Sequence, residues 1–172
     1  MKKKLLIVGS TGFLGRNLIN YFSQNNEHLN LFAAYHFKVP EVKNCLFYKC
    51  DLLEKEGIKN LIKDILPEFI INCAFIGVSS GINYSREYIL DNQKIFLNLL
   101  EACKESDCLK KIINIGSSLE YNDKNIPITE EDKIWPKNLY AAIKTSNSFL
   151  GNVIAKMFNL PLITIRPFHL FG

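Results

Sequence analysis

The chain has 172 residues, of which 48% are hydrophobic and 22% charged, and its formal net charge is +4. This composition excludes disordered and fibrous proteins, and the length suffices for one domain with a buried core. Apart from a cluster at Lys2–Lys4 the lysines are scattered. Because they form no compact basic stripe, we expect no nucleic-acid partner.

The apolar run at the start of the chain is short. Leu5–Val8 is followed at once by Gly9, so the run is too short for a signal-peptide core or a membrane span. We therefore expect a cytoplasmic protein without a membrane partner. The five cysteines include no C-x-x-C pair, and we interpret them as reduced thiols, with neither disulfides nor a metal site.

Short apolar runs alternate with amphipathic segments of helix length along the whole chain. The predicted strands are Lys4–Val8, Leu29–Tyr35, Leu46–Lys49, Phe69–Cys73, Lys111–Ile115 and Leu162–Ile165. The predicted helices are Phe13–Gln24, Glu54–Leu66, Tyr88–Ser106 and Leu139–Phe158. This alternation is typical of βαβ units, so we predict one α/β domain over residues 1–172, a parallel sheet with helices on both faces.

A glycine-rich turn follows the first strand. The stretch G-S-T-G-F-L-G, residues 9–15, has glycine at every third position and leads into a helix. Gly9 permits the tight turn, Gly12 lets the backbone approach a pyrophosphate, and Gly15 allows the helix to pack closely on the strand. In this context the motif predicts a Rossmann-type, doubly wound α/β/α fold that binds a dinucleotide. A plain glycine-rich turn is the alternative.

The end of the second strand bears on the choice of dinucleotide. An acidic residue there would hold the adenosine ribose 2′-hydroxyl, but residues 34–38 read A-Y-H-F-K. With Lys38 and a protonatable His36 in its place, the sequence favours NADP(H), and NAD(H) is the alternative. A solvated loop lysine would explain the same residues.

The fourth helix opens on Y-A-A-I-K, which places a phenol and an ammonium four residues apart on one helical face. A tyrosine acting as a base near neutral pH needs its pKa lowered by roughly 3 units, or about 4 kcal/mol. A nearby lysine, an oxidised nicotinamide and a helix N-terminus together can supply this.

With these motifs in view, the sequence resembles the extended short-chain dehydrogenase/reductase family, in particular its sugar-nucleotide epimerase, dehydratase and reductase branch. The resemblance covers essentially the whole chain. It adds C-D-L at 50–52, N-C-A-F-I-G at 72–77, D-N-Q-K-I-F-L-N-L-L-E-A-C at 91–103 and R-P-F-H-L-F-G at 166–172. In the family these segments are the adenine-contacting Asp-Leu, the loop after strand four, the helix near the nicotinamide end and the segment after strand six.

The resemblance also implies the catalytic residues. Tyr140 would be the acid/base, and Lys144 would bind the nicotinamide ribose and lower the tyrosine pKa. In I-G-S-S-L-E-Y, residues 115–121, counting four back from Tyr121 gives Ser117 as the hydroxyl that polarises the reacting oxygen, with Ser118 as the alternative.

The contacts to cofactor and substrate follow in the same way. The cofactor contacts that the resemblance implies are Gly9, Thr11, Gly12, Phe13, Leu14, Gly15, His36, Lys38, Asp51, Leu52, Cys73, Ala74, Phe75, Asn92, Lys144 and Phe168. The implied substrate contacts are Ser117, Tyr140 and His169. Many relatives carry Asn at the last of these positions, where His either replaces that hydrogen bond or simply packs.

The residues after the active hydroxyl bear on the reaction. Family dehydratases place acidic groups there, because elimination needs a general acid and a separate base. After Ser117 come Ser118 and Leu119, and Glu120 is one residue late, where a solvated carboxylate or a structural anchor is the alternative. Hydride transfer at a sugar carbon of a nucleotide-linked sugar, by a 4-epimerase or a 4-keto reductase, is therefore favoured. A 4,6-dehydratase, a non-catalytic cofactor-binding protein and a reductase of a small carbonyl compound are the alternatives.

Gly172 lies where the family continues with a seventh strand and a C-terminal substrate lobe. We therefore expect this chain to be the N-terminal part of a longer protein, lacking the C-terminal substrate lobe, and to bind cofactor better than it turns over substrate. The resemblance further implies a homodimer formed by a four-helix contact of the helices at 88–106 and 139–158.

Overall fold

The computed structural model describes residues 2–25, 27–77 and 85–171, so Gly172 lies outside the described residues. The strands are β1 Lys3–Val8, β2 Leu29–Tyr35, β3 Leu46–Lys49, β4 Phe69–Asn72, β5 Lys111–Ile115 and β6 Leu162–Ile165. The helices are α1 Phe13–Asn25, α2 Lys55–Ile65, α3 Arg86–Cys103 and α4 Leu139–Phe158, and a 3₁₀ turn spans Ser118–Glu120. Every predicted element is confirmed, with ends that differ by three residues at most.

The strands form one parallel sheet in the order β3-β2-β1-β4-β5-β6. The chain runs outward from β1 to β3 and then returns to place β4 on the other side of β1. At this switch point the connections leave the carboxyl ends of β1 and β4 in opposite directions, which opens a crevice between them. The predicted Rossmann-type, doubly wound fold is confirmed.

Each face of the sheet buries its own apolar core. Along β1, Leu6 and Val8 point into the core beneath α2 and α3, whereas Leu5 and Ile7 point into the core beneath α1. Side chains alternate between faces at every residue of a strand, so a continuous apolar run supplies both cores. The result is the predicted three-layer α/β/α arrangement.

Three further observations concern the described part of the chain. No helix in it is both long enough and apolar enough to cross a membrane. It contains no group of three or more His, Cys, Asp or Glu side chains that could hold a metal ion. All five cysteines are free thiols, and burial raises the pKa of Cys103 to about 12, which keeps that thiol protonated.

Among the glycines that the structure describes in helices, Gly15 has the least space for a side chain. A Cβ built on it would lie 2.3 Å from the carbonyl oxygen of Gly9, a main-chain atom that cannot move without displacing β1 or α1. We expect Gly15→Ala to lower the free energy of unfolding by about 3 kcal/mol or more, measured by urea denaturation. Gly57→Ala in α2 is the matched control.

A Cβ on Gly57 would meet nothing closer than 3.6 Å. Alanine is the better helix former, so this control should raise the free energy of unfolding by about 0.5–1 kcal/mol. Equal effects of the two alanines would contradict the close packing of Gly15.

Candidate cofactor and catalytic site

A cavity of about 490 Å³ opens at the carboxyl ends of β1 to β4, at the switch point of the sheet. Pockets of this size accommodate small-molecule and cofactor ligands, and in open α/β sheets ligands bind at this place. Its lining includes the predicted contact residues Gly9, Thr11, Gly12, His36, Asp51, Leu52, Cys73, Ala74 and Phe75.

The glycine-rich turn forms one wall of this cavity. Gly9 has φ 77°, and a Cβ on it would lie 2.5 Å from the backbone nitrogen of Ala74. Gly12 differs, because the nearest atom to a Cβ there is the Gly9 carbonyl oxygen at 3.5 Å. The bare backbone of Gly12 thus borders the cavity without being needed for packing, which fits the close approach of a pyrophosphate.

A row of polar side chains supports the opposite wall. The Asn72 amide donates to the Asn114 side-chain oxygen at 2.9 Å, and the Asn114 amide donates to the Thr164 hydroxyl at 3.4 Å. The Asn72 oxygen in turn accepts from the backbone nitrogen of Ala74 at 3.2 Å. These bonds cross β4, β5 and β6 in register and fix the loop that meets Gly9.

Asn92 fastens the same loop from α3. Its side-chain oxygen accepts from the Ile76 nitrogen at 2.8 Å, and its amide donates to the Ile76 and Tyr88 carbonyls at 3.1 and 2.9 Å. The residue is fully buried. The predicted cofactor contact of Asn92 is therefore indirect in this structure, since its amide groups are engaged in holding the cavity wall.

At the end of the cavity beside β2 and β3, two side chains form a contact that the sequence did not reveal. His36 Nε2 lies 3.4 Å from the Asp51 carboxylate, so the positive charge expected at His36 faces an acidic partner. Lys38 instead lines a second cavity of about 430 Å³, together with Arg16. The two cavities share Thr11. Sequence reasoning missed Arg16, although its place in the first turn of α1, directly after Gly15, is a readable signal.

The three predicted catalytic residues lie together beside the first cavity. The Lys144 ammonium is buried and donates to the Ile115 carbonyl at 2.6 Å, and the Ser117 side chain lies close enough to Tyr140 to lower the pKa of its phenol. The Phe75 ring, which lines the cavity, meets the Tyr140 ring edge to face at 5.0 Å. The Lys144 ammonium lies 4.5 Å from the centre of the same Phe75 ring. Phe75 thus connects the cavity to Ser117, Tyr140 and Lys144, the predicted catalytic trio.

The electrostatics of the trio differ in part from expectation. Burial lowers the pKa of Lys144 to about 8, against the opposing effects of Glu120 and Cys73. Burial also raises the pKa of Tyr140; the Ser117 hydrogen bond counteracts this, and the Glu120 carboxylate adds to it. The expected lowering of the tyrosine pKa is therefore not a property of the protein alone, and the phenol is protonated at neutral pH.

The turn after β5 distinguishes the two candidate serines. Ser117 is buried, lowers the pKa of the nearby Tyr140 phenol, and accepts from the Leu119 nitrogen at 3.2 Å through its hydroxyl. Ser118 opens the 3₁₀ turn, and its backbone nitrogen donates to the Pro167 carbonyl at 3.0 Å. The geometry therefore favours Ser117. Glu120 is fully buried, so it is a structural anchor rather than a solvated carboxylate.

The remaining predicted contacts lie away from the cavity lining. Phe13 is half exposed at the start of α1, Leu14 packs against the core beneath that helix, and Gly15 packs against the preceding turn. Phe168 and His169 are exposed on the segment that follows β6. Their roles in binding stay predictions.

The chain is similar to known proteins over nearly its whole length. The model of the NAD dependent epimerase/dehydratase family matches residues 5–172. A crystal structure of UDP-glucuronic acid 4-epimerase from Bacillus cereus, in complex with UDP-glucuronic acid and NAD, is 26% identical with a TM-score of 0.84, covering 98% of this chain and 57% of that one.

Two curated relatives widen the comparison. GDP-L-colitose synthase of Yersinia pseudotuberculosis is 31% identical over 74% of this chain and 38% of its own length. Methionine adenosyltransferase 2 subunit beta of Rattus norvegicus is 28% identical over 94% of this chain and 47% of its own length. The chain spans about half the length of the curated relatives it matches. The family match over residues 5–172 confirms the resemblance seen in the sequence, and the chain belongs to the NAD-dependent epimerase/dehydratase family.

Proposed function

We propose that this chain carries the cofactor site and catalytic trio of an enzyme that transfers hydride at a carbon of a nucleotide-linked sugar, as a 4-keto reductase or a 4-epimerase. The observation that carries the proposal is the buried Lys144 ammonium, held with Tyr140 and Ser117 at the edge of the switch-point cavity. The similarity to a UDP-glucuronic acid 4-epimerase and to a GDP-L-colitose synthase supports the substrate class.

Each residue has a defined task in this proposal. The turn of residues 9–15 and the start of α1 bind the pyrophosphate through backbone N–H groups. A bound nicotinamide dinucleotide supplies the acceptor or donor of the hydride. Tyr140 exchanges a proton with the sugar oxygen, and Lys144 binds the nicotinamide ribose. The Ser117 hydroxyl accepts from the Leu119 nitrogen, which leaves its own proton to donate to the reacting oxygen.

The protonation of the trio favours the reductase over the epimerase. Reduction of a ketone requires a proton donor, and burial keeps the Tyr140 phenol protonated by raising its pKa. The opposite step begins with Tyr140 as a base, which needs additional positive charge close to the phenol. The chain alone is therefore better prepared to donate a proton than to remove one.

Elimination and a purely non-catalytic role are the competing functions. A 4,6-dehydratase needs acidic groups after Ser117, but Leu119 is apolar and both carboxylate oxygens of Glu120 are engaged inside the protein. A cofactor-binding protein without chemistry of its own is the second alternative. The grouped Ser117, Tyr140 and Lys144 argue against it, because cofactor binding alone does not need all three.

The energetics of Lys144 also favour function over stability. Its pKa of about 8 in the folded chain, against 10.5 ordinarily, means that the buried ammonium destabilises the native state by about 3 kcal/mol at neutral pH. An apolar side chain would fill a buried helix position more favourably. A lysine here is explained by a task that requires its charge.

We also infer that NADP(H) is the preferred dinucleotide. Arg16 and Lys38 line the second cavity, which joins the cofactor cavity at Thr11, and the end of β2 carries no carboxylate to repel a 2′-phosphate. His36 contributes less than the sequence suggested, because it pairs with Asp51. The Bacillus cereus relative was solved with NAD, so the preference proposed here concerns this chain's own basic residues.

Association of two copies through α3 and α4 is part of the proposal. Phe149, Val153 and Met157 are exposed at four-residue intervals along α4, and Leu90 is exposed on α3. An interval of four residues places side chains along one helix face. This apolar stripe supports a four-helix contact in a homodimer.

The first prediction concerns the stability of Lys144→Met. Unfolded lysine keeps its proton to about pH 10.5, whereas the folded chain releases it near pH 8, so wild-type stability rises between these values. We expect Lys144→Met to be more stable than wild type by about 1–2 kcal/mol at pH 7, after the loss of the bond to Ile115. The advantage should shrink from pH 8 to pH 10.

Denaturant unfolding across this pH range measures the effect. Lys156→Met, at an exposed position of the same helix, should show no such pH dependence. A constant difference between wild type and Lys144→Met at all pH values would contradict a buried, destabilising ammonium.

The second prediction separates binding from chemistry. Tyr140→Phe should retain NADPH binding, followed by fluorescence, and lose turnover of a nucleotide-linked 4-keto sugar by about 100-fold or more. Gly12→Ala should keep its melting temperature, because its Cβ meets no main-chain atom closer than 3.5 Å, and lose cofactor binding by about tenfold or more. Tight cofactor binding without turnover of any sugar nucleotide, by a wild-type chain that includes the C-terminal substrate lobe, would favour the non-catalytic alternative.

The third prediction concerns cofactor preference. We expect wild type to bind NADPH at least about tenfold more tightly than NADH, because a 2′-phosphate gains charge-assisted hydrogen bonds from basic side chains. The double variant Arg16→Ala/Lys38→Ala should lose this preference while its NADH affinity stays unchanged. Equal or tighter binding of NADH by wild type would show that NAD is the cofactor.

A further inference from the structure

Glu120 is a carboxylate enclosed by protein, with three chain segments converging on it. Its Oε1 accepts from the backbone nitrogen of Ser117 at 2.8 Å, and its Oε2 accepts from Arg166 Nε at 2.9 Å. Its main-chain oxygen accepts from the Trp135 nitrogen at 2.8 Å. The residue has no exposed surface, and its partner Arg166 is mostly buried. Glu120 therefore joins the end of β5 to the loop before α4 and to the segment after β6.

The carboxylate is held against the main chain of β5. A Cβ on Gly116 would lie 2.5 Å from Glu120 Oε1 and 3.1 Å from the Ile165 carbonyl oxygen. Backbone bonds on both sides strengthen this contact, with the Gly116 nitrogen donating to Ile165 and the Ser118 nitrogen donating to Pro167. The position of the carboxylate is thus determined by packing as well as by its hydrogen bonds.

The same bonds determine where the active hydroxyl points. Ser117 and Glu120 form a reciprocal capping box, in which the carboxylate binds the Ser117 nitrogen and the Ser117 hydroxyl caps the 3₁₀ turn at the Leu119 nitrogen. The hydroxyl oxygen accepts from the Leu119 nitrogen and keeps its proton free to donate, and the effect of Ser117 on the pKa of Tyr140 places this donor beside the phenol. The orientation of the serine therefore depends on Glu120.

Glu120 also acts electrostatically on the rest of the trio. Burial dominates the pKa of both Lys144 and Tyr140, and the Glu120 carboxylate raises the pKa of each. The other titratable groups that interact with this pair are Cys73, which follows β4, and Tyr88 of α3. Among the described residues, Glu120 is the carboxylate that acts on both members.

We propose that Glu120 is a positioning residue of the catalytic trio: with Arg166 as its counter-ion, it orients the Ser117 hydroxyl and maintains a fixed negative charge next to Tyr140 and Lys144. The relevance of this role to catalysis rests on the proposed function. The hydrogen bonds and the charge of Glu120 do not depend on the proposed function, and they can be tested without cofactor or sugar.

The test is an NMR titration of the Lys144 side chain in the free protein, with its signal assigned from Lys144→Met. In Glu120→Gln the negative charge is removed, so the pKa of Lys144 should fall below about 8. A change that only loosened the pocket would hydrate Lys144 and move its pKa up towards 10.5. The direction of the shift therefore separates the electrostatic role from a merely structural one.

A second variant is needed in case Glu120→Gln does not fold, because that substitution leaves Arg166 without its counter-ion. Glu120→Gln/Arg166→Gln replaces the ion pair by two amides that can hydrogen-bond to each other and to Ser117. It should also lower the pKa of Lys144, but by less than Glu120→Gln does, because the positive charge of Arg166 is removed as well. Glu101→Gln is the control, since that carboxylate pairs with Lys55 at 2.8 Å on the surface. It should leave the Lys144 titration unchanged.

The possible results test the positioning role of Glu120 separately from the proposed enzymatic function. An unchanged or raised pKa of Lys144 in the folded Glu120 variants would overturn the positioning role, even if wild type turns over substrate and Tyr140→Phe does not. A lowered pKa would support it, and turnover should then fall in the double variant while NADPH binding is retained. Failure of wild type to bind any dinucleotide would refute the proposed function and leave the titration result standing.

Discussion

The main chain of Gly9 is enclosed by two other main-chain segments, and the site depends on this contact. A Cβ on Gly9 would overlap the backbone of Ala74, and the helix start at Gly15 lies against the Gly9 carbonyl. Because main-chain atoms contact main-chain atoms on both sides of Gly9, no side chain can move to make room for a larger residue there. The contact draws together the ends of β1 and β4 and the start of α1, and the switch-point cavity is the space that remains beside them.

The other half of the site is organised by buried polar groups. The row from Asn72 through Asn114 to Thr164 and the pair of Glu120 with Arg166 lie at the carboxyl ends of β4, β5 and β6. Buried polar groups must be hydrogen-bonded, and a slip of one residue in strand register would leave them unpaired. These bonds specify a single arrangement of the strand ends, whereas apolar packing would tolerate several.

The sequence predicted the elements well because their signal is local. Apolar runs and helical spacing lie within single segments, and α4 was predicted to the residue from a pattern that includes Tyr140 and Lys144. The missed features need distant partners. His36 meets Asp51 because β3 pairs with β2, and Glu120 is an anchor because Arg166 lies beside it, 46 residues further along the chain. No pattern within one segment carries that information.

The direction of the Tyr140 pKa shift was missed for a related reason, and it bears on how one trio can serve two opposite reactions. Desolvation of a phenol is a property of the folded environment, and here it outweighs the favourable hydrogen bond from Ser117. The raised pKa of Tyr140 keeps the phenol protonated in the protein alone, so in the proposed function it would be ready to donate a proton to a ketone. A positively charged, oxidised nicotinamide bound close to Tyr140 would stabilise the phenolate and allow the same residue to act as a base. Under the proposed function, the protonation of Tyr140 would therefore be coupled to the redox state of the dinucleotide, and the bound cofactor form would determine whether the trio reduces or oxidises the sugar.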